Sequence, residues 1–108
     1  MVYPYNLICR IYGLTEDQFK EKYSNISKDQ LDGLEYMISQ LPAKERSIIQ
    51  ASFKDKLCWE DIGQLLNMDR EKVSLRIETA IKKLRSDSLK KYFENGLEAE
   101  KQKGEEQK

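Results

Sequence analysis

A chain of 108 residues is long enough for one hydrophobic core and too short for two. It carries 19 basic and 19 acidic residues and no histidine, so its formal net charge is zero and it has no histidine base or histidine metal ligand. The five glycines are scattered rather than gathered into a phosphate loop, and Cys9 and Cys58 make neither a metal-ligand spacing nor a disulfide framework.

These absences argue against an enzyme, a cofactor and a metal site. The acid pairs Glu16-Asp17 and Glu60-Asp61 read as helix-start residues rather than a catalytic dyad. Both cysteines stand in apolar stretches and are expected as buried thiols. The apolar runs fall far below a membrane span and no signal peptide is evident, so a bacterial cytoplasm is expected.

In chain order, Pro4 and Gly13 bracket a short first helix. Thr15 caps a second, with Glu16, Asp17 and Gln18 in its first turn as a capping box. Phe19 and Tyr23 lie four residues apart on it. Ser27 caps a third helix whose Leu31, Leu34, Ile38 and Leu41 form one face. The aromatic side chains of this part suit a core better than a base-stacking platform.

Pro42 then separates a helix carrying Ile48, Ile49 and Phe53. Next comes a short helix with Ile62, Leu65 and Leu66 on one face. A tight turn follows at Leu66-Asn67-Met68-Asp69. Asn67 tolerates a left-handed conformation, Met68 turns inward, and Asp69 is a good N-cap. From Arg70 to about Arg85, Val73, Ile77, Ala80, Ile81 and Leu84 repeat every three or four residues as a buried stripe. The opposite face carries Arg70, Glu71, Ser74, Leu75, Glu78 and Lys82.

This is the layout of a helix-turn-helix, which presents its second helix to the major groove of DNA. Helix pairs of this shape also occur in bundles that never touch DNA, so pattern alone leaves both readings open. Charge distribution favours the first. From Arg70 to Lys91 there are eight basic residues against three acids, a net +5, while the remainder of the chain carries −5.

The segment resembles region 4 of the bacterial RNA polymerase sigma factors of the sigma-70 family. The resemblance rests on Leu41-Pro42-Ala43-Lys44-Glu45-Arg46, Ile48-Ile49 with Phe53, Glu60-Asp61-Ile62-Gly63, Arg70-Glu71-Lys72-Val73 and Ala80-Ile81-Lys82-Lys83-Leu84-Arg85. It implies that Arg70 and Glu71 begin a recognition helix reading a -35-like promoter element. Ser74 and Leu75 complete that base-reading face. Lys44, Lys72 and Lys82 are the implied phosphate contacts. Arg suits guanine and Glu suits the cytosine amino group, whereas phosphate contacts give affinity and register.

Departures from the family pattern are equally specific. Leu75 stands where housekeeping members carry a base-contacting Gln, and Ser74 where a basic residue is common. Gln50 and Ser52 replace positions that are often Arg. Cys58 replaces a capping Thr. Trp59 replaces a Leu, and is expected to be mostly buried against the N-terminal helices.

The sequence thus predicts an all-α fold, a small helical bundle containing a region 4-like helix-turn-helix. Its expected parts are an N-terminal helical extension (1–26), the helix-turn-helix domain (27–93) and a charged, disordered tail (94–108). Nothing like sigma region 2 is present, so a small stand-alone protein is expected rather than a whole sigma factor. The expected partner is double-stranded DNA. The resemblance adds the flap of the RNA polymerase β subunit. A homodimer is compatible with the sequence, although no heptad seam demands one. The alternative is an adaptor of the same fold that binds protein or ribonucleoprotein partners and not DNA.

Overall fold

The computed structural model of the chain describes residues 2–106, and every regular element among them is helical. In order these are α1 (Tyr5–Tyr12), α2 (Glu16–Lys22), α3 (Lys28–Ser39), α4 (Ala43–Ile49), α5 (Trp59–Leu66), α6 (Arg70–Leu84), α7 (Asp87–Asn95) and α8 (Leu97–Glu106). A π-helical segment, Gln50–Lys54, prolongs α4.

Local chemistry sets most of these boundaries. Gly13, at φ 64°, ends α1 in the left-handed conformation that a residue without Cβ adopts freely. Thr15 and Gln18 close a complete capping box on α2, and Ser27 and Gln30 close another on α3. Each satisfies donors that the first helical turn leaves unpaired.

The core is built around α6. Val73, Ile77, Ala80, Ile81 and Leu84 are all buried, as their spacing predicts. They meet Leu7, Ile8 and Ile11 of α1, Leu34, Met37 and Ile38 of α3, Ile48 and Ile49 of α4, and Ile62 of α5 in one continuous cluster. The N-terminal helices therefore share the core of the helix-turn-helix. Arg85, just past the end of α6, donates from Nε to the Ile11 carbonyl (2.8 Å) and from Nη2 to the Arg10 carbonyl (3.0 Å). These are C-terminal carbonyls of α1 that its own helix leaves open.

Glu45 is a deeply buried charge, at 3% exposure. Both its oxygens accept from Lys83 Nζ on α6, each at 2.9 Å. A charge that deep is tolerated because it is paired and hydrogen-bonded. The pair ties α4 to α6.

Three expectations need correction. Leu65 does not enter the core; it is 70% exposed. The buried residues of α5 are Ile62 and Gly63, and at about 100° per residue Leu65 falls roughly 110° from the middle of that arc. Cys58 is exposed rather than buried, because it stands at the N-cap of α5, outside the packed face. Cys9 is half-buried.

The third correction concerns 94–108, expected as a disordered tail. Gly96, at φ 92°, turns the chain, and Leu97–Glu106 form α8. Asp29 of α3 reaches across and accepts the Glu98 N–H at 3.0 Å, capping α8 from another helix. Glu100 is buried and accepts from Asn95 Nδ2 at 2.6 Å. A cap supplied from 69 residues away leaves no local signal in the sequence. Residues 107 and 108 of that expected tail lie outside the described residues.

Candidate nucleic-acid interface

The turn between α5 and α6 is built as the sequence indicates. Asn67 takes φ 54° and ψ 52°, and the Met68 N–H bonds the Gly63 carbonyl at 2.8 Å. Met68 is half-buried against the core. Asp69 occupies the N-cap of α6 in extended geometry, although its carboxylate makes no capping bond. Gly63 is required by distance: a Cβ there would lie 2.4 Å from the Met68 carbonyl oxygen. That close approach presses the turn onto α5 and fixes how α6 projects.

With its stripe buried, α6 offers its opposite face to solvent. Arg70, Glu71 and Leu75 are exposed and Ser74 is half-buried. These four line one shallow groove, and its fifth wall is Trp59. All four expected base-facing residues are therefore brought together.

Trp59 corrects the sequence reading. It is 36% exposed and faces the first turns of α6 instead of packing beneath the N-terminal helices. Its neighbour at that end of α5 is Arg70. The Arg70 guanidinium lies 5.6 Å from the Trp59 ring centroid and pairs with Glu60 Oε1 at 3.0 Å. The hydrogen bond from its own backbone N–H, the Cys58 side chain and the Arg70 charge together hold the Glu60 carboxyl below its ordinary range.

A second cleft opens on the other flank of the turn. It is lined by Lys44 from α4, Lys72 and Arg76 from α6, and Leu66, Asn67 and Met68 between them. Lys44 and Lys72, expected separately as phosphate contacts, thus share one site. Arg76 joins them, and sequence reasoning did not single it out. Its signal was legible: it follows Lys72 by four residues on the same helix face. Lys82 is exposed but lies apart, roughly 15 Å along the helix from Lys72.

Ion pairing sorts the basic residues. Arg70 pairs with Glu60, Lys83 with Glu45, Lys90 with Asp87 and Lys91 with Glu100. Arg85 bonds carbonyls of α1. Among the described residues, Lys44, Lys72, Arg76 and Lys82 enter no ion pair. The positive charge of this region is therefore partly spent on the fold, and three of these four unpaired cations, Lys44, Lys72 and Arg76, are gathered beside the turn.

Residues 37–86 match the family model described as sigma-70, region 4. This segment is a sigma-70 region 4 helix-turn-helix domain. The match runs from the end of α3 to the N-cap of α7, so it includes both grooves and leaves α1, α2, α7 and α8 outside it. No curated protein and no solved structure matches the chain. Region 4 is a DNA-binding type of domain that acts in transcription, and the two grooves are where this one exposes the outer face of α6 and the unpaired cations Lys44, Lys72 and Arg76. Among the described residues, no group of histidine, cysteine or acidic side chains is placed to hold a metal ion. No helix among them is long and apolar enough to cross a membrane.

Proposed function

We propose that this region 4 domain reads a -35-like promoter element, with α6 in the major groove. Arg70, Glu71, Ser74 and Leu75 face base edges, Arg70 toward a guanine and Glu71 toward a cytosine amino group. Lys44, Lys72 and Arg76 hold the phosphate backbone beside the turn, and Lys82 reaches a phosphate further along the duplex. The observation that carries this reading is the convergence of unpaired cations on one cleft flanking the face formed by the first turns of α6.

The same chemistry indicates modest affinity. Ser74, Gln50 and Ser52 supply no charge where the family pattern often does, Leu75 lacks the hydrogen-bonding amide of the usual Gln, and the chain as a whole is neutral. RNA polymerase, through the flap of its β subunit, is the partner that raises occupancy by effective concentration. Selection from a random duplex pool tests the reading. A guanine-containing consensus that Arg70→Ala relaxes at one position, at a cost of about 1–3 kcal/mol, supports it; a pool that never enriches refutes it.

A second reading has one observation in its favour. Leu65, Leu66 and Leu75 are all exposed on the helix-turn-helix, and an adaptor docking a protein partner would use such residues. Wild-type affinity for that partner without any DNA affinity distinguishes it.

A further inference from the structure

The groove at the start of α6 is not uniformly polar. Two of its walls are apolar, the Trp59 ring and the Leu75 side chain, the latter 67% exposed. Between and beside them stand Arg70 and Glu71, the two charged groups of the groove. On DNA, the major-groove feature that an apolar wall recognises is the C5-methyl group of thymine. Cytosine lacks that methyl, and purines present ring nitrogens and exocyclic groups there instead.

We infer that this groove is a thymine-methyl subsite, with Leu75 and Trp59 as its walls, adjoining the base held by Arg70. This rests on the DNA-binding reading above. The occupant is argued from continuity and charge. The same helix lines the cleft of unpaired Lys44, Lys72 and Arg76 on the adjoining flank, and a duplex seated on those cations brings base edges, not an apolar peptide, over the groove. Trp59 acts in two ways. One edge bounds the methyl site. Its face supports the Arg70 guanidinium at 5.6 Å from the ring centroid and so keeps that side chain on one side of the groove.

The subsite gives the domain a preference that a polar Gln at position 75 does not supply. A methyl reader is indifferent to hydrogen-bond geometry and sensitive only to apolar contact. Its contribution is the removal of one methyl-sized surface from water, roughly fourfold in affinity.

Deoxyuridine provides the test, because it pairs as thymidine does and lacks only the methyl. The duplex obtained by selection from a random pool is remade with deoxyuridine at each thymidine in turn, and binding is measured by anisotropy with wild-type protein and with Leu75→Ala. The expected result is a roughly fourfold loss at one or two positions next to the Arg70-dependent guanine. That loss disappears in Leu75→Ala, an exposed substitution to a good helix former. If the selected duplex binds and Arg70→Ala relaxes its guanine, yet deoxyuridine is tolerated everywhere, the methyl subsite is wrong and the DNA reading stands. If no sequence is selected, both fall.

Discussion

The Arg70 guanidinium lies against Trp59, 5.6 Å from its ring centroid, and is held by Glu60 at 3.0 Å. The side chain proposed to read a base is thus already engaged by two residues of α5. Both contacts are exposed, so neither is strong in water. The Trp59 ring orients the long, flexible side chain before a duplex arrives, while Glu60 holds its charge.

That arrangement makes Glu60 a competitor for Arg70. Replacing Glu60 with Gln removes the competing charge and one source of phosphate repulsion. Affinity for duplex DNA is expected to rise roughly two- to fivefold, the scale of an exposed pair. Trp59→Ala is expected to act differently, weakening discrimination at the guanine without raising affinity. Parallel titrations of one selected duplex and one single-base variant separate the two. A loss of affinity in Glu60→Gln would show that Glu60 positions Arg70 rather than competing for it.

Gly63 sets the geometry of the turn. A Cβ at that position would come within 2.4 Å of the Met68 carbonyl, a backbone atom that cannot swing aside. Gly63→Ala is therefore expected to destabilise the fold by about 1–3 kcal/mol despite the better helix propensity of alanine. Chemical denaturation checks this. A stabilised Gly63→Ala would mean that the turn has slack, and that the projection of α6 is not fixed by this contact.

Half-buried tyrosines give the fold an alkaline limit. The Tyr12 phenol donates to Glu94 Oε1 at 3.0 Å, and burial, aided by that bond and the Glu94 charge, pushes its pKa well above the ordinary phenol range. Tyr3 is raised in the same direction by burial and by Glu35, to which it donates at 3.0 Å. The folded state holds these protons more tightly than the unfolded chain, whose tyrosines ionise near pH ~10. Their contribution is complete below that pH and declines as pH rises above it. Tyrosinate absorbance is expected to lag in the folded protein and to rise with alkaline unfolding. Ionisation of all six tyrosines near pH ~10 without unfolding would contradict the burial of Tyr3 and Tyr12.

Much of this molecule was legible in its residues. The α6 stripe, the left-handed Asn67, the capping box at Thr15, the cap at Ser27 and the clustering of Arg70, Glu71, Ser74 and Leu75 all follow from spacing and local chemistry. What escaped was non-local. Leu65 shares the apolar spacing of α5 but not its narrow contact, which centres on Ile62 and Gly63. The Leu usual at the position of Trp59 suggested burial against the N-terminal helices, and the ring instead meets Arg70. The cap on α8 comes from Asp29, far away in sequence. The spending of Lys83 and Arg85 on Glu45 and on α1 carbonyls was invisible to a count of charges.

The most direct test is the salt dependence of binding to a -35-like duplex, read from the fluorescence of Trp59, the protein's one tryptophan and a wall of the proposed groove. At low salt the duplex is expected to perturb Trp59 emission, with affinity falling linearly on logarithmic axes as salt rises. Lys44→Ala, Lys72→Ala and Arg76→Ala should each lower that slope by about 1, while Lys83→Ala, whose charge is committed to Glu45, should leave it unchanged in the folded protein. Unaltered Trp59 emission together with no duplex binding at low salt, with or without RNA polymerase, would contradict the assignment of this face to DNA.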